Sequence, residues 1–183
     1  SGSVKNTTEE GKDILDYYIS GIDEYGKPKK TGLCLGANPN AKGVWKRVNS
    51  TDQAVLFIDR YLQLLKPGGR LIVVLPDGIL SNSSYKHVRE YIMGKKNEIT
   101  GEFEGGRAVV KAVVSLPTVT FQLSGTGAKT SFLYIKKKEH DNEKQEAVFM
   151  AVADEIGFDV KSKHEVQLGN DRNDLLKIVE AYK

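Results

Sequence analysis

The sequence predicts a doubly wound α/β fold, a mostly parallel sheet that ends in an antiparallel hairpin. Three observations carry this. A helix-period segment runs into Lys66-Pro67-Gly68-Gly69; an unbroken apolar run, Arg70 to Pro76, follows at once; and two further strand-like runs, Val109–Leu116 and Thr130–Lys137, are separated by only the short segment 118–129. A run that is apolar without alternation is expected to be a strand buried on both faces, as in a parallel sheet. The 118–129 segment is too short for a helical crossover, so the last two strands are expected to pair antiparallel.

The elements follow in order. A short helix is predicted over 9–19, where Ile14, Leu15, Tyr18 and Ile19 recur at helical spacing, with Thr8 as its cap and Gly11 weakening its first turn. From Gly21 to Ser50 the chain is rich in glycine, proline and asparagine, and residues 1–50 are expected to be loop-rich. Ser50 or Thr51 is expected to cap a helix running to about Leu65, its apolar face made by Val55, Phe57, Ile58, Tyr61, Leu62 and Leu65. Pro67 cannot continue a helix, and the glycines after it accept a turn. A second helix is predicted over 85–93, capped by Ser83 or Ser84. Ile99–Phe103 reads as a short extra strand, Val148–Val152 as an edge strand, and Asp174–Tyr182 as a terminal amphipathic helix.

Length and composition bound the function. At 183 residues, the chain has room for one ordinary domain with a real core. Its 39% hydrophobic and 28% charged residues are those of a globular protein, and no apolar run is long enough for a membrane span. The single cysteine, Cys34, excludes an internal disulfide and fits a cytoplasmic location. Ser1-Gly2-Ser3 reads as a leftover of cloning. A net charge of +3 is too mild to announce nucleic-acid binding by itself. The two lysine clusters, Lys27, Lys29 and Lys30, and Lys136, Lys137 and Lys138, read as solvated loops or strand ends.

Several words then point to one family. Phe57 to Arg70 (FIDRYLQLLKPGGR) and Val74 to Leu80 (VLPDGIL) resemble the modification subunit of type I restriction systems, within the N-6 adenine-specific DNA methyltransferases. So do Val113 to Pro117 with Thr120 and Phe121, Lys129 to Leu133, Phe149-Met150-Ala151, and Ile156 to Asp159. The resemblance covers Gln53 to Lys161, with a looser match from Asn173. It implies a partial class I S-adenosylmethionine-dependent, Rossmann-like sheet, with residues 51–161 as the downstream part of the domain and 162–183 as a tail. It also implies transfer of a methyl group from S-adenosylmethionine to the amine of a flipped adenine. The implied partners are double-stranded DNA and the specificity and restriction subunits of a type I system, with no membrane.

The family's cofactor turn and its Asn-Pro-Pro-aromatic catalytic motif are not recognisable in the sequence. Asn38-Pro39-Asn40 is the nearest string, but it lacks the second proline and the ring, and it reads as a turn. Residues 1–50 are therefore expected to follow the catalytic motif, and no catalytic, cofactor or metal residue is assigned. The resemblance implies a fragment that is inactive alone.

The candidate residues are those of a base or DNA cleft. Pro76, Asp77 and Gly78 end a buried strand where open α/β sheets bind ligands. Pro117 and Phe121 end the next strand, and Phe121 offers a ring for stacking on a base. Gly125 to Thr130 fails the phosphate-loop pattern, because Ala128 separates Gly127 from Lys129 and a strand follows; the segment reads as an ordinary flexible turn, or as a hairpin loop near DNA with Lys129 contacting phosphate. His87, His140, His164 and Cys34 show no metal-ligand spacing. Trp45 with Lys42, Lys46 and Arg47 reads as a tryptophan pinning a loop, or as a DNA-contacting patch. Two other readings stand beside the resemblance: a methyltransferase of the same sheet acting on RNA, protein or a small molecule, and a non-enzymatic interaction module.

Overall fold

The computed structural model describes residues 2–5, 7–11, 37–39, 45–47 and 49–183. The rest of the helix expected over 9–19, the cluster Lys27, Lys29 and Lys30, Cys34, Asn40, Lys42 and the side chains of the Trp45 patch lie outside what is described. The chain forms two compact units, Ser1–Lys66 and Pro67–Lys183.

In the first unit, strand β1 (Ser3–Lys5) pairs antiparallel with β4 (Ser50–Asp52), and β2 (Ala37–Pro39) pairs antiparallel with β3 (Trp45–Arg47). Asn38-Pro39, expected in a turn, therefore has strand backbone. Helix α1 (Gln53–Leu64) follows β4 directly. Its cap is Asp52, whose carboxylate accepts the Ala54 N–H at 2.9 Å, rather than Ser50 or Thr51, which β4 takes up. Val55, Ile58 and Leu62 are buried at helical spacing, as the periodicity predicts, whereas Phe57 stays exposed and stacks on Tyr61.

The second unit is built on a four-stranded sheet in the order β10-β8-β9-β5, where β5 is Arg70–Pro76, β8 Ala108–Leu116, β9 Thr130–Lys137 and β10 Phe149–Val152. Strand β9 is antiparallel to both β5 and β8, and β10 is parallel to β8. Three strands thus share one direction, and their carboxyl ends meet at one margin of the sheet. The short 3-10 connection Thr118–Ser124 is what forces the β8–β9 reversal. The Gly68-Gly69 turn is tied to the far end of β9, with the Gly68 N–H donating to the Lys137 carbonyl at 3.0 Å and the Lys137 N–H donating to that of Gly69 at 2.8 Å.

One expectation is corrected. Strand β5 is not buried on both faces: among the described residues it is the last strand of the sheet, and Ile72 is 67% exposed and Val74 36%. Its register explains the pattern. Leu71, Val73 and Leu75 face the side shared with Ile135, Leu133 and Ser131, while Ile72 and Val74 face the side of Tyr134 and Phe132. Helix α4 (Asp174–Tyr182) covers only part of that second side, setting Tyr182 edge-on against Tyr134 and Phe149.

Between β5 and β8 the chain makes a short helix α2 (Asp77–Ser81), a 3-10 turn (Ser83–Tyr85) and helix α3 (Lys86–Met93). The serines expected to cap α3 lie within the 3-10 turn, which Asn82 caps instead by accepting the Ser84 N–H. Val88 and Ile92 bury the inner side of α3, and Arg89 donates to the Ile79 and Asn82 carbonyls, fastening α3 to α2. The extra strand expected over 99–103 is corrected: Ile99 and Thr100 sit in a turn, and only Phe103 joins the two-residue strand β7 (Phe103–Glu104), paired with β6 (Lys95–Lys96). A further hairpin, β11 (Phe158–Lys161) and β12 (His164–Gln167), follows β10. Among the described residues no helix is long and apolar enough to cross a membrane.

Lys136 and Lys137 end β9, as the strand-end reading expects, and Lys138 follows it, buried rather than solvated. Lys136 pairs with Glu139 at 2.7 Å, and that hydrogen bond holds its ammonium above the usual lysine range. Burial, and then the nearby Arg107, push Lys137 down. Lys138 is buried and donates to the Gly105 carbonyl at 2.7 Å.

Candidate functional site

The later part of β8, the start of β9, strand β10 and the short helix α2 that follows β5 border an open cleft of roughly 400 Å³. Alternation along the strands selects its lining: Val113 and Ser115 from β8, Ser131 from β9, and Met150 and Val152 from β10 project from the same side of the sheet. Helix α2 closes one flank with Asp77, Leu80 and Ser81. The cleft therefore has an aliphatic and thioether wall on one side, and a carboxylate with three hydroxyls on the other. Few convergent polar groups over an apolar surface are what a small planar ligand needs.

Asp77 is the best-ordered of these groups. The Ser131 hydroxyl donates to its Oδ1 at 2.6 Å, and its own backbone N–H donates to the Lys129 carbonyl at 3.0 Å. Both contacts come from the start of β9, and the one to the carboxylate joins residues 54 positions apart in sequence. A carboxylate accepts hydrogen bonds only, so its remaining capacity suits an amine or amide N–H of a ligand.

Of the residues expected at the site, Asp77 lines the cleft and the others stand outside its lining. Pro76 lies in register with Thr130, and Thr130 with Leu116, directly before Pro117. Gly78, at the exposed start of α2, would meet nothing within 4 Å if it carried a Cβ, and it is not part of the cleft's lining. Lys129 contributes its carbonyl to Asp77, while its side chain is exposed. Phe121 is half-buried in the 3-10 connection and does not line the cleft. Ser131, Ser115, Ser81, Met150 and Val152 were missed by sequence reasoning. The polar pair Thr130-Ser131 at the head of an otherwise apolar strand was the available signal for Ser131. Thr130 Oγ1 itself is buried without a hydrogen-bond partner.

A larger groove, roughly 510 Å³, lies near the other end of the sheet between the β6–β7 hairpin and residues 144–148. Its charged groups are already paired, Lys144 with Glu102 and Glu146 with Lys111, so the smaller cleft carries more unused hydrogen-bonding capacity. Among the described residues no cluster of His, Cys, Asp or Glu is arranged to hold a metal ion.

The cleft thus lies at one margin of a mixed sheet in which β9 runs against both of its neighbours. The profile of the N-6 DNA Methylase family matches residues 37–183, and the chain belongs to that family. Among known proteins, it is 30% identical over 104 residues to the Defense against restriction protein B of Escherichia phage P1; the match covers 56% of this chain and 4% of that protein. Among solved structures, it resembles a chain described as a class I S-adenosylmethionine-dependent methyltransferase from Listeria monocytogenes, with a TM-score of 0.45 and 22% identity over 66% of this chain and 34% of that one. It also resembles the M protein of the type I restriction enzyme EcoKI, with a TM-score of 0.40 and 19% identity over 68% of this chain and 22% of that one. The chain thus spans a small part of each relative's length.

Proposed function

We propose that this chain is the downstream part of an adenine-N6 DNA methyltransferase of a type I restriction–modification system, working in the cytoplasm with specificity and restriction subunits. The observation that carries the reading is the family match over 37–183, which includes every strand that forms the cleft. In this reading the methyl donor is S-adenosylmethionine and the substrate is an adenine flipped out of duplex DNA. The donor's sulfonium would supply the methyl group, and none of the cleft residues is assigned to hold it. What they supply is one wall of the target-base side. Asp77 offers an acceptor fixed by Ser131, Pro76, Gly78 and Pro117 shape the rim, and Lys129 and Phe121 stand on the loop beyond it.

The test is methyl transfer by the intact gene product with its co-purifying subunits, using labelled S-adenosylmethionine and duplex DNA. N6-methyladenine in the duplex is expected. Label in RNA, protein or a small molecule instead would replace this reading with a methyltransferase of other specificity, and no transfer to any of these would favour an interaction module. The 183-residue chain alone is expected to give no turnover, since its sequence contains no Asn-Pro-Pro-aromatic string.

A further inference from the structure

The β11–β12 hairpin has features that a solvated turn does not require. Its two central residues, Ser162 and Lys163, both have positive φ, at 51° and 64°. Two-residue hairpin turns of this hand are ordinarily made by Asn-Gly, because side chains are disfavoured there. Here neither position is glycine, and one is a lysine. The turn places Lys161, Lys163 and the His164 imidazole together at an exposed tip, with Lys161 and His164 directly opposite each other in the register.

The hairpin's acidic residues have hydrogen-bond partners of their own: Asp159 accepts the Val160 N–H at 2.8 Å, and Glu165, one rung from the tip, accepts from Gln167 at 2.5 Å. Neither Lys161 nor Lys163 forms an ion pair with a described residue. The base is anchored. Gly157 accepts from the Leu168 N–H at 2.8 Å and donates to the Arg172 carbonyl at 2.9 Å, and Ile156 bridges to Asn173. Strand β11 also packs against the 3-10 connection that follows β8, so the hairpin rises on the same margin of the sheet as the cleft and the Lys129 loop.

From this arrangement we infer that the β11–β12 tip is a DNA-backbone contact, in which Lys161 and Lys163 neutralise phosphates flanking the target base while the cleft receives the base. This rests on the DNA-methyltransferase reading above. A pre-ordered cationic arm loses little freedom on binding, and backbone contacts set the register of a protein on its duplex without reading sequence.

The test is the salt dependence of duplex affinity, measured by anisotropy of a fluorescein-labelled duplex with the intact gene product and its co-purifying subunits. Each lost phosphate contact makes the slope of log K against log salt shallower by about 0.9. Lys161→Gln with Lys163→Gln is therefore expected to flatten the slope by about 1.8, and Ser162→Asn with Lys163→Gly, which keeps the turn, by about 0.9. Unchanged slopes in a protein that still methylates DNA would overturn the hairpin inference alone. Failure of the unaltered protein to bind duplex DNA would overturn the parent reading together with it.

Discussion

Gln145 and Ser131 show how single side chains complete the backbone of this sheet. Strand β8 has an irregularity between Val110 and Ala112, and β10 pairs with it only from Ala112 onward. Gln145 takes the vacant place by accepting the Val110 N–H at 2.8 Å and donating to the Val110 carbonyl at 2.7 Å. Val110 is buried, so Gln145→Ala leaves a donor and an acceptor without partners and is expected to cost about 1–3 kcal/mol, read from urea denaturation. An unchanged midpoint would show that water replaces the amide. Ser131→Ala tests the cleft instead. It removes the donor that orients Asp77, so stability should fall by only about 1 kcal/mol while methyl transfer by the intact protein falls by roughly tenfold or more. Equal, small losses in both would make the Asp77–Ser131 pair a strand-end fastening and nothing else. Gln145 was illegible in the sequence because a polar residue in a charged linker has no periodic signature.

At the scale of elements, helix α4 and the turn before β8 are each held by a specific local device. Asp174 starts α4 and accepts the backbone N–H groups of Glu155 at 3.0 Å and Asp154 at 3.1 Å, with Lys177 at 3.2 Å on its other oxygen. The Glu155 N–H first, and then the Lys177 ammonium, hold its carboxyl below the usual aspartate range. A depressed carboxyl stabilises the fold above its unfolded-state pKa, and that contribution is lost as pH falls through the folded value. Asp174→Asn should therefore lower the melting temperature at neutral pH, and the gap to the parent chain should close in acid. A gap that stays constant with pH would mean that the charge is irrelevant. The second device is the contact between Gly94 and Gly106, both at positive φ. A Cβ on Gly106 would come within 2.3 Å of the Gly94 nitrogen, so Gly106→Ala is expected to destabilise by about 1–3 kcal/mol in thermal melts. Gly94 ending α3 was legible as a helix breaker; its backbone neighbour 12 residues on was not, because nothing local records a long-range approach.

Taken as a whole, the second unit presents an apolar strand at the end of its sheet. Ile72 and Val74 lie exposed on β5, which has no second partner strand among the described residues. An exposed apolar edge of this kind templates pairing with another chain. The isolated chain is expected to self-associate with rising concentration in analytical ultracentrifugation, and Ile72→Thr with Val74→Thr should reduce that while keeping strand propensity. Association unaltered by this pair would put the contact elsewhere on the surface.

The sequence by itself determined the kinds of element and their order. Apolar periodicity, the Lys66-Pro67-Gly68-Gly69 stop and the short 118–129 connection act locally, and they were sufficient for α1, β5, the antiparallel β8–β9 pair and the limits of α4. They also led to Asp77 at a strand end. Only the tertiary structure decided that β9 lies between β5 and β8, that β5 ends the sheet among the described residues, and that Ser131, Ser115 and Met150 converge on Asp77. Strand order and side-chain convergence depend on pairings across dozens of residues, and an unbroken apolar run reads alike at the centre of a sheet and at its margin.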